Sequence, residues 1–353
     1  MSISQATAKY EAWLGSHLRI LPEDLKLKHE HMRAEPFAFL RATYYRWTQT
    51  WSGICGEAAR APRVLAVGDL HLENFGTWRD IEGRLIWGIN DFDEAWSLPY
   101  TNDLIRLATS ALLAKISYGA KTAMTAILKG YTDALEAGGH PYALAEHHAA
   151  LRSMATARLH EPEKYWEKLQ ALPDLKKKPP TGVLKAIGKM MPERGLRWHV
   201  VHRVAGLGSL GRERYVALAE WRGGSVAREA KALAPSACVW AEQGKGTAPI
   251  HYQEILDRSV RCPDPFVRVR KRWIVRRLAP DCSRIELSAL PRERDEIHLL
   301  HAMGFETANI HLGSVKARVL REDLKTRPRG WLLEAARRME KAVLADFKDY
   351  AGR

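Results

Sequence analysis

The chain has 353 residues, 46% of them hydrophobic, and carries a formal net charge of +14. That is enough to bury a substantial core, in one large domain or two to three smaller ones. No apolar run approaches the roughly 20 residues of a membrane span, and the opening "MSISQATAKYEAWLG" lacks the basic-then-apolar pattern of a signal peptide. Cys55, Cys238, Cys262 and Cys282 lie far apart with no C-x-x-C pair. Isolated thiols suit a reducing cytoplasm and argue against a zinc site or a disulfide framework.

In chain order, residues 4–50 read as helical, with an aromatic stripe in "PFAFLRATYYRWTQTW" that suits a core-facing helix. A strand follows at 63–68, then a polar knot, then a hairpin-like stretch at 83–95. The pattern from "TNDLIRLATSALLAKISYGA" to about residue 171 is helical in several segments, interrupted by Gly-Gly-His-Pro at 138–141. The stretch "LPDLKKKPPTG" at 172–182 reads as a linker. Alternating segments between 198 and 279 predict a small antiparallel sheet, interrupted by the helix "HYQEILDRSV". The chain then returns to helix until its end.

Two constellations carry chemistry. In "VLAVGDLHLENFG", residues 64–76, an apolar strand runs into Asp69, His71, Glu73 and Asn74, and "INDFDEA" adds Asp91, Asp93 and Glu94. An Asp that accepts a proton, beside an Asn and a second Asp offering hard oxygens, suits Mg²⁺, which takes few protein ligands and leaves room for phosphate oxygens. Asp and Asn are also turn formers, and His71 can be an ordinary loop histidine. The second constellation is Gly206, Gly208 and Gly211 in "AGLGSLG", with Ser209 at its tip and Lys231 in the next strand. A dinucleotide fingerprint opens a helix, whereas "RYVALAEW" after Gly211 alternates as a strand. A strand, a Gly-rich turn and a strand lay backbone N–H groups over nucleotide phosphates, with the lysine pairing them. The basic excess in "RSVRCPDPFVRVRKRWIVRR" fits a cleft for a phosphorylated molecule, and nucleic acid ranks behind it because no zinc finger, RNP sequence or basic-leucine pattern is present.

"GDLHLENFG", "INDFDEA" and "NDLIRLA" resemble the motifs of aminoglycoside phosphotransferase-like kinases. Together with "EPFAFLR", "GLGSLG", "EAKA" and "VRRL" they resemble a bacterial family of unknown function, DUF2252, over about residues 28–312. The resemblance implies an α+β, protein kinase-like, two-lobe fold with ATP and Mg²⁺ as cofactors. Asp69 matches the catalytic base, Asn74 and Asp91 the metal ligands, with Asp93 beside them, and Asp103 the structural aspartate, with His71 as further support. Gly206, Gly208, Ser209 and Gly211 match the phosphate-covering loop, Lys231 the phosphate-pairing lysine and Glu254 its ion-pair partner. In ordinary kinases the Gly-rich loop precedes the catalytic loop, so the reversed order here implies a circular permutation. The expected lobes are 1–195 (helical, catalytic), 196–285 (β-rich, nucleotide-binding) and 286–353 (helices completing the first). Glu73 is a departure from the pattern.

The expected function is phosphoryl transfer to an unidentified small-molecule or protein hydroxyl, in the cytoplasm and away from membranes. The aromatics Trp47, Trp51 and Trp96 and the arginines near Arg41 are candidates for the acceptor pocket, with core packing the plainer role. A pseudokinase-like nucleotide-binding regulator and an adenylyl transferase are the alternatives. A metallophosphoesterase needs downstream G-D-x-x-D and G-N-H ligands that are missing. A basic nucleic-acid-binding scaffold predicts affinity that falls steeply with salt.

Overall fold

The computed structural model describes residues 1–352 apart from 117–118, 145–147, 157–160, 176, 244–247 and 283–292. Four helices open the chain: α1 (Ile3–His17), α2 (Pro22–Ala34), α3 (Pro36–Ala42) and α4 (Tyr44–Cys55). Ser2 and Gln5 form a reciprocal capping box at the start of α1, and prolines begin α2 and α3, where a missing N–H costs nothing. Then come β1 (Arg63–Ala66), β2 (Phe75–Arg79), β3 (Leu85–Ile89) and β4 (Trp96–Pro99). The antiparallel hairpin is formed by β2 and β3, and residues 90–95 leave β3 as a loop, so the stretch 83–95 is not itself a hairpin. The polar loop between β1 and β2 faces the one between β3 and β4, because β1 pairs with β4.

The next helix, α5 (Thr101–Leu113), is buried at every residue except Leu112. It holds Asp103 and Arg106 with no exposed surface at all, which a polar pair in a core helix tolerates only with full compensation. It is followed by α6 (Ala120–Ala137), β5 (Tyr142–Ala143), α7 (Ala149–Thr156), α8 (Pro162–Gln170) and α9 (Thr181–Gly188). The expected linker at 172–182 is tied down: the amide of His202 donates to Pro173 O at 3.1 Å, and Asp174 bridges to Val201. Residue 176 within it lies outside the described residues. The composition of "LPDLKKKPPTG" signalled a polar segment and gave no sign of that pairing.

A five-stranded antiparallel sheet follows, in the order β6-β7-β8-β10-β9, built from β6 (His199–His202), β7 (Arg214–Trp221), β8 (Gly224–Ala232), β9 (Arg268–Arg270) and β10 (Trp273–Leu278). Between β8 and β9 lie α10 (Ala237–Ala241) and α11 (Tyr252–Arg258). Of these, α9 and α10 are short and were not read from the sequence. The chain ends in α12 (Glu293–Leu312), α13 (Ala317–Thr326) and α14 (Trp331–Ala351), with α12 packed on α6 and α14 on α5. The expected boundary at 285/286 falls outside the described residues. The architecture is thus mixed α+β, with small antiparallel sheets among helices. Among the described residues no helix is long and apolar enough to cross a membrane.

Candidate functional site

The floor of the site is the loop from Val67 to Asn74. Asp103 accepts from the amides of Val67 at 2.7 Å and Gly68 at 3.0 Å, so one buried carboxylate satisfies two consecutive backbone donors. His311, at the end of α12, places Nε2 3.0 Å from Asp103 Oδ2 and Nδ1 2.8 Å from the hydroxyl of Tyr131. Gly68 has φ +83°, and a Cβ there would collide with the carbonyl of Glu94, so only glycine fits this corner.

Asp69 emerges next. Its Oδ1 accepts from Arg106 Nε at 2.8 Å and from Nη2, and Arg106 is itself sandwiched between the rings of Tyr44 and Trp47, 4.9 and 4.8 Å from their centroids. Burial pushes the Asp69 carboxyl up to about 7; Arg106 opposes the rise and Glu94 adds to it. With Oδ1 held, Oδ2 lies on the side of the Gly-rich turn, 3.6 Å from where a Cβ on Gly208 would stand. Asn74 Oδ1 accepts from the amide of His71 at 2.6 Å, while His71 Nδ1 accepts from the amide of Glu73 at 3.2 Å, so both side chains cap the loop. Arg41 lies 2.8 Å from Glu73 and gives that acidic side chain a partner of opposite charge. Trp47 and Trp51 are core residues, and Trp96 packs edge-on against His251.

Opposite the floor, Lys231 Nζ on β8 lies 2.7 Å from Asp93 Oδ2 and 3.3 Å from Asp91 Oδ1. Arg212 reaches Asp93 at 3.4 Å and Glu94 at 3.2 Å, and Glu94 in turn accepts from the amide of Ala237 at 2.6 Å. Burial, then the nearby Asp91, raises the pKa of Asp93 against the pull of Lys231 and Arg212. Its Oδ1 is buried with no hydrogen-bond partner, whereas the Asp91 side chain is 31% exposed. Among the described residues no three His, Cys, Asp or Glu side chains are grouped to hold a metal alone. The oxygens of Asp91, Asn74 and the orphaned Asp93 Oδ1 form a hard, incomplete donor set. Such a set fits Mg²⁺, which keeps waters and phosphate oxygens, and is unsuited to an all-protein cage.

The Gly-rich turn roofs this space, and α2 fastens it. Lys28 Nζ donates to Gly208 O at 3.2 Å, the amide of Leu21 donates to Gly211 O at 2.8 Å, and His202 Nε2 lies 3.0 Å from Asp24. Burial, and then Arg212, pushes Lys28 down to about 8. Ser209 Oγ accepts from Arg214 at 2.8 Å and donates to Gly206 O at 3.1 Å.

Asp69, His71, Asn74, Asp91, Asp93, Gly206, Gly208 and Ser209 line one cleft, with Lys231 against its acidic wall and Asp103 beneath it. Glu254 is elsewhere: exposed on α11, it pairs with His251 at 2.7 Å and Arg258 at 2.8 Å. The expected Lys231–Glu254 pair is therefore corrected to Lys231 with Asp91 and Asp93, because α11 turns Glu254 towards its own helical neighbours. Arg106, Arg212 and His311 were missed by sequence reasoning. For Arg106 a signal existed, a lone arginine in the apolar helix "NDLIRLATSALL".

No curated protein and no solved structure matches the chain. A family model described as "Uncharacterized protein conserved in bacteria (DUF2252)" matches residues 19–179, the stretch that holds α2, the Asp69 loop, Asp91 and Asp103, and that ends before the Gly-rich turn.

Proposed function

We propose that this chain is an ATP- and Mg²⁺-dependent phosphotransferase acting on a hydroxyl of a small molecule or protein, with a kinase-like, circularly permuted two-lobe fold. One observation carries the reading. Two segments more than a hundred residues apart converge, with Lys231 2.7 Å from Asp93 and the Gly208 backbone over Asp69. The packing of the C-terminal helices on α5 and α6, beside a separate five-stranded sheet, supports the permuted arrangement.

In this reading the Gly-rich turn and Lys231 position the phosphates. Asp91, Asp93 and Asn74 would hold Mg²⁺, which when bound shields phosphate charge. Asp69 Oδ2 orients the acceptor hydroxyl and takes its proton. A carboxylate pushed up to about 7 is well matched to that task near neutrality. Arg106 keeps Oδ1 occupied so that only one oxygen faces the acceptor.

The test is calorimetric binding of Mg·ATP to wild type, Asp91→Ala and Lys231→Ala. Clear binding by wild type that both substitutions weaken is expected, and equal weak signals in all three would remove the nucleotide from the reading. Turnover of γ-labelled against α-labelled ATP with a metabolite pool separates phosphoryl from adenylyl transfer.

A further inference from the structure

The sheet face that carries Lys231 also carries Glu229, two residues earlier on β8. Glu229 is fully buried and accepts from Arg203 at 2.6 Å, Arg214 at 2.7 Å and Arg276 at 2.8 Å. Arg276 stands directly across from it on β10. Burial alone would raise the Glu229 pKa, yet the three guanidiniums drive it well below the ordinary range, so it stays charged. Glu229 is the carboxylate that pairs with all three, and Asp91 adds a weaker pull on Arg276. Three guanidiniums thus converge on one buried carboxylate with a second one nearby, which leaves the cluster with a surplus of positive charge that a further anion would complete. Arg214 is buried, but the Arg203 and Arg276 side chains are 28% and 25% exposed and so can be reached from solvent.

Farther out, the same face is apolar, with Val201, Val216, Leu218, Ala227 and Leu278, and Leu169 of α8 already covers it. Beside Lys231 the face therefore offers charge, and the apolar surface on which a base could stack is filled. Residues two apart on a strand are separated by about 7 Å, within the reach of a single phosphate chain.

We propose that Arg203 and Arg276, anchored on Glu229, form a phosphate site continuous with Lys231, so that the cleft's ligand is held by a chain of phosphates and little by its base. This rests on the phosphotransferase reading for the identity of the cleft and adds the class of donor it selects, a polyphosphate-bearing molecule with weak base preference. Planar guanidiniums fork onto phosphate oxygens in two parallel hydrogen bonds, which makes them suited to this task.

The experiment measures binding of Mg·ATP, Mg·GTP, Mg·tripolyphosphate and adenosine by calorimetry. The proteins are wild type, Arg203→Gln, Arg276→Gln and the charge control Arg318→Gln/Arg321→Gln on exposed α13. Expected are similar affinities for the three polyphosphates, no binding of adenosine, and a loss of about tenfold in either the Arg203 or the Arg276 variant, as for one charge-assisted hydrogen bond. The α13 control should bind as wild type does. A melting scan without ligand identifies a variant that has lost its fold, and the other then carries the test. ATP binding far tighter than GTP and tripolyphosphate, or equal losses in the α13 control, overturns the proposal. If Asp91→Ala leaves Mg·ATP binding intact while tripolyphosphate still depends on Lys231 and Arg203, the phosphate site stands and the phosphotransferase reading falls.

Discussion

The floor and the roof of the cleft are held by different forces. The floor, residues 67–74, hangs from backbone amides that donate to Asp103 and is reinforced by its own caps through His71 and Asn74. The roof is held mostly by side chains: Lys231 on Asp91 and Asp93, Arg212 on Asp93 and Glu94, and a contact of His202 with Asp24, with one backbone bond from Leu21 to Gly211. Backbone bonds to a buried acceptor fix geometry to a fraction of an ångström and change little with conditions. Ion pairs at a half-open cleft can exchange partners when a charged ligand arrives. Asp69 belongs to the first half, and Lys231, Asp91 and Asp93 to the second.

Removing the brace should therefore cost most. Asp103→Ala leaves two buried N–H donors and His311 without their acceptor, and a loss of roughly 3–5 kcal/mol is expected in urea unfolding, at about 1–3 kcal/mol per orphaned group. A loss that small surface substitutions also produce would mean that the floor is not held from Asp103.

On the roof, Lys231→Met brings Asp91 and Asp93 together without their shared cation. A loss of about 2 kcal/mol is expected, less than for a fully buried pair because Asp91 is partly solvated and Arg212 still serves Asp93. Added Mg²⁺ should restore part of the melting temperature in this variant and little in Asp103→Ala. Equal rescue of both would erase the distinction between the two halves.

Asp69 ties the comparison to pH. Its folded pKa is raised to about 7 by burial, so its contribution to stability is complete below the ordinary carboxylate value and is lost as pH rises through about 7. Asp69→Asn should gain melting temperature relative to wild type as pH rises from about 4 to about 7, with no further gain above that. Under the proposed phosphotransferase reading, turnover by wild type moves the other way, rising with pH as Asp69 ionises. A stability difference that is flat with pH would place Asp69 in a more hydrated setting than its contacts with Arg106 describe.

The smallest effect is expected at the outer clasp. Asp24→Asn weakens a partly exposed pair with His202, worth about 1 kcal/mol or less. Its signature should be local: faster hydrogen exchange at the amide of Leu21, which donates to Gly211 O, with the amides of Val67 and Gly68 unchanged.

Much of the floor was legible, because "GDLHLENFG" and "NDLIRLA" place Asp69, Asn74 and Asp103 within local turns and one helix start. The sheet was legible from alternation, and its Gly-rich turn from the strand that follows Gly211. What could not be read were choices made between distant segments. The partner of Lys231 depends on how the sheet docks on the loop after β3, and Glu254 was the wrong choice because α11 faces away. Lys28 of α2 and the three arginines on Glu229 come from one helix, two strands and a loop, and each alone looks like a surface cation. Glu73 pairs with Arg41, thirty-two residues earlier, which no local pattern links to it.

The brace on Asp103 also has a consequence in time. His311 follows Asp103 by 208 positions. At roughly 5–20 residues per second, a ribosome delivers it about 10–40 s after Asp103 and later still after the loop it steadies. Through that interval the nascent chain holds every residue of the loop from Val67 to Asn74 with one of the loop's supports missing. The floor of the cleft is written early and fixed late, so an unfinished chain carries an unlocked site.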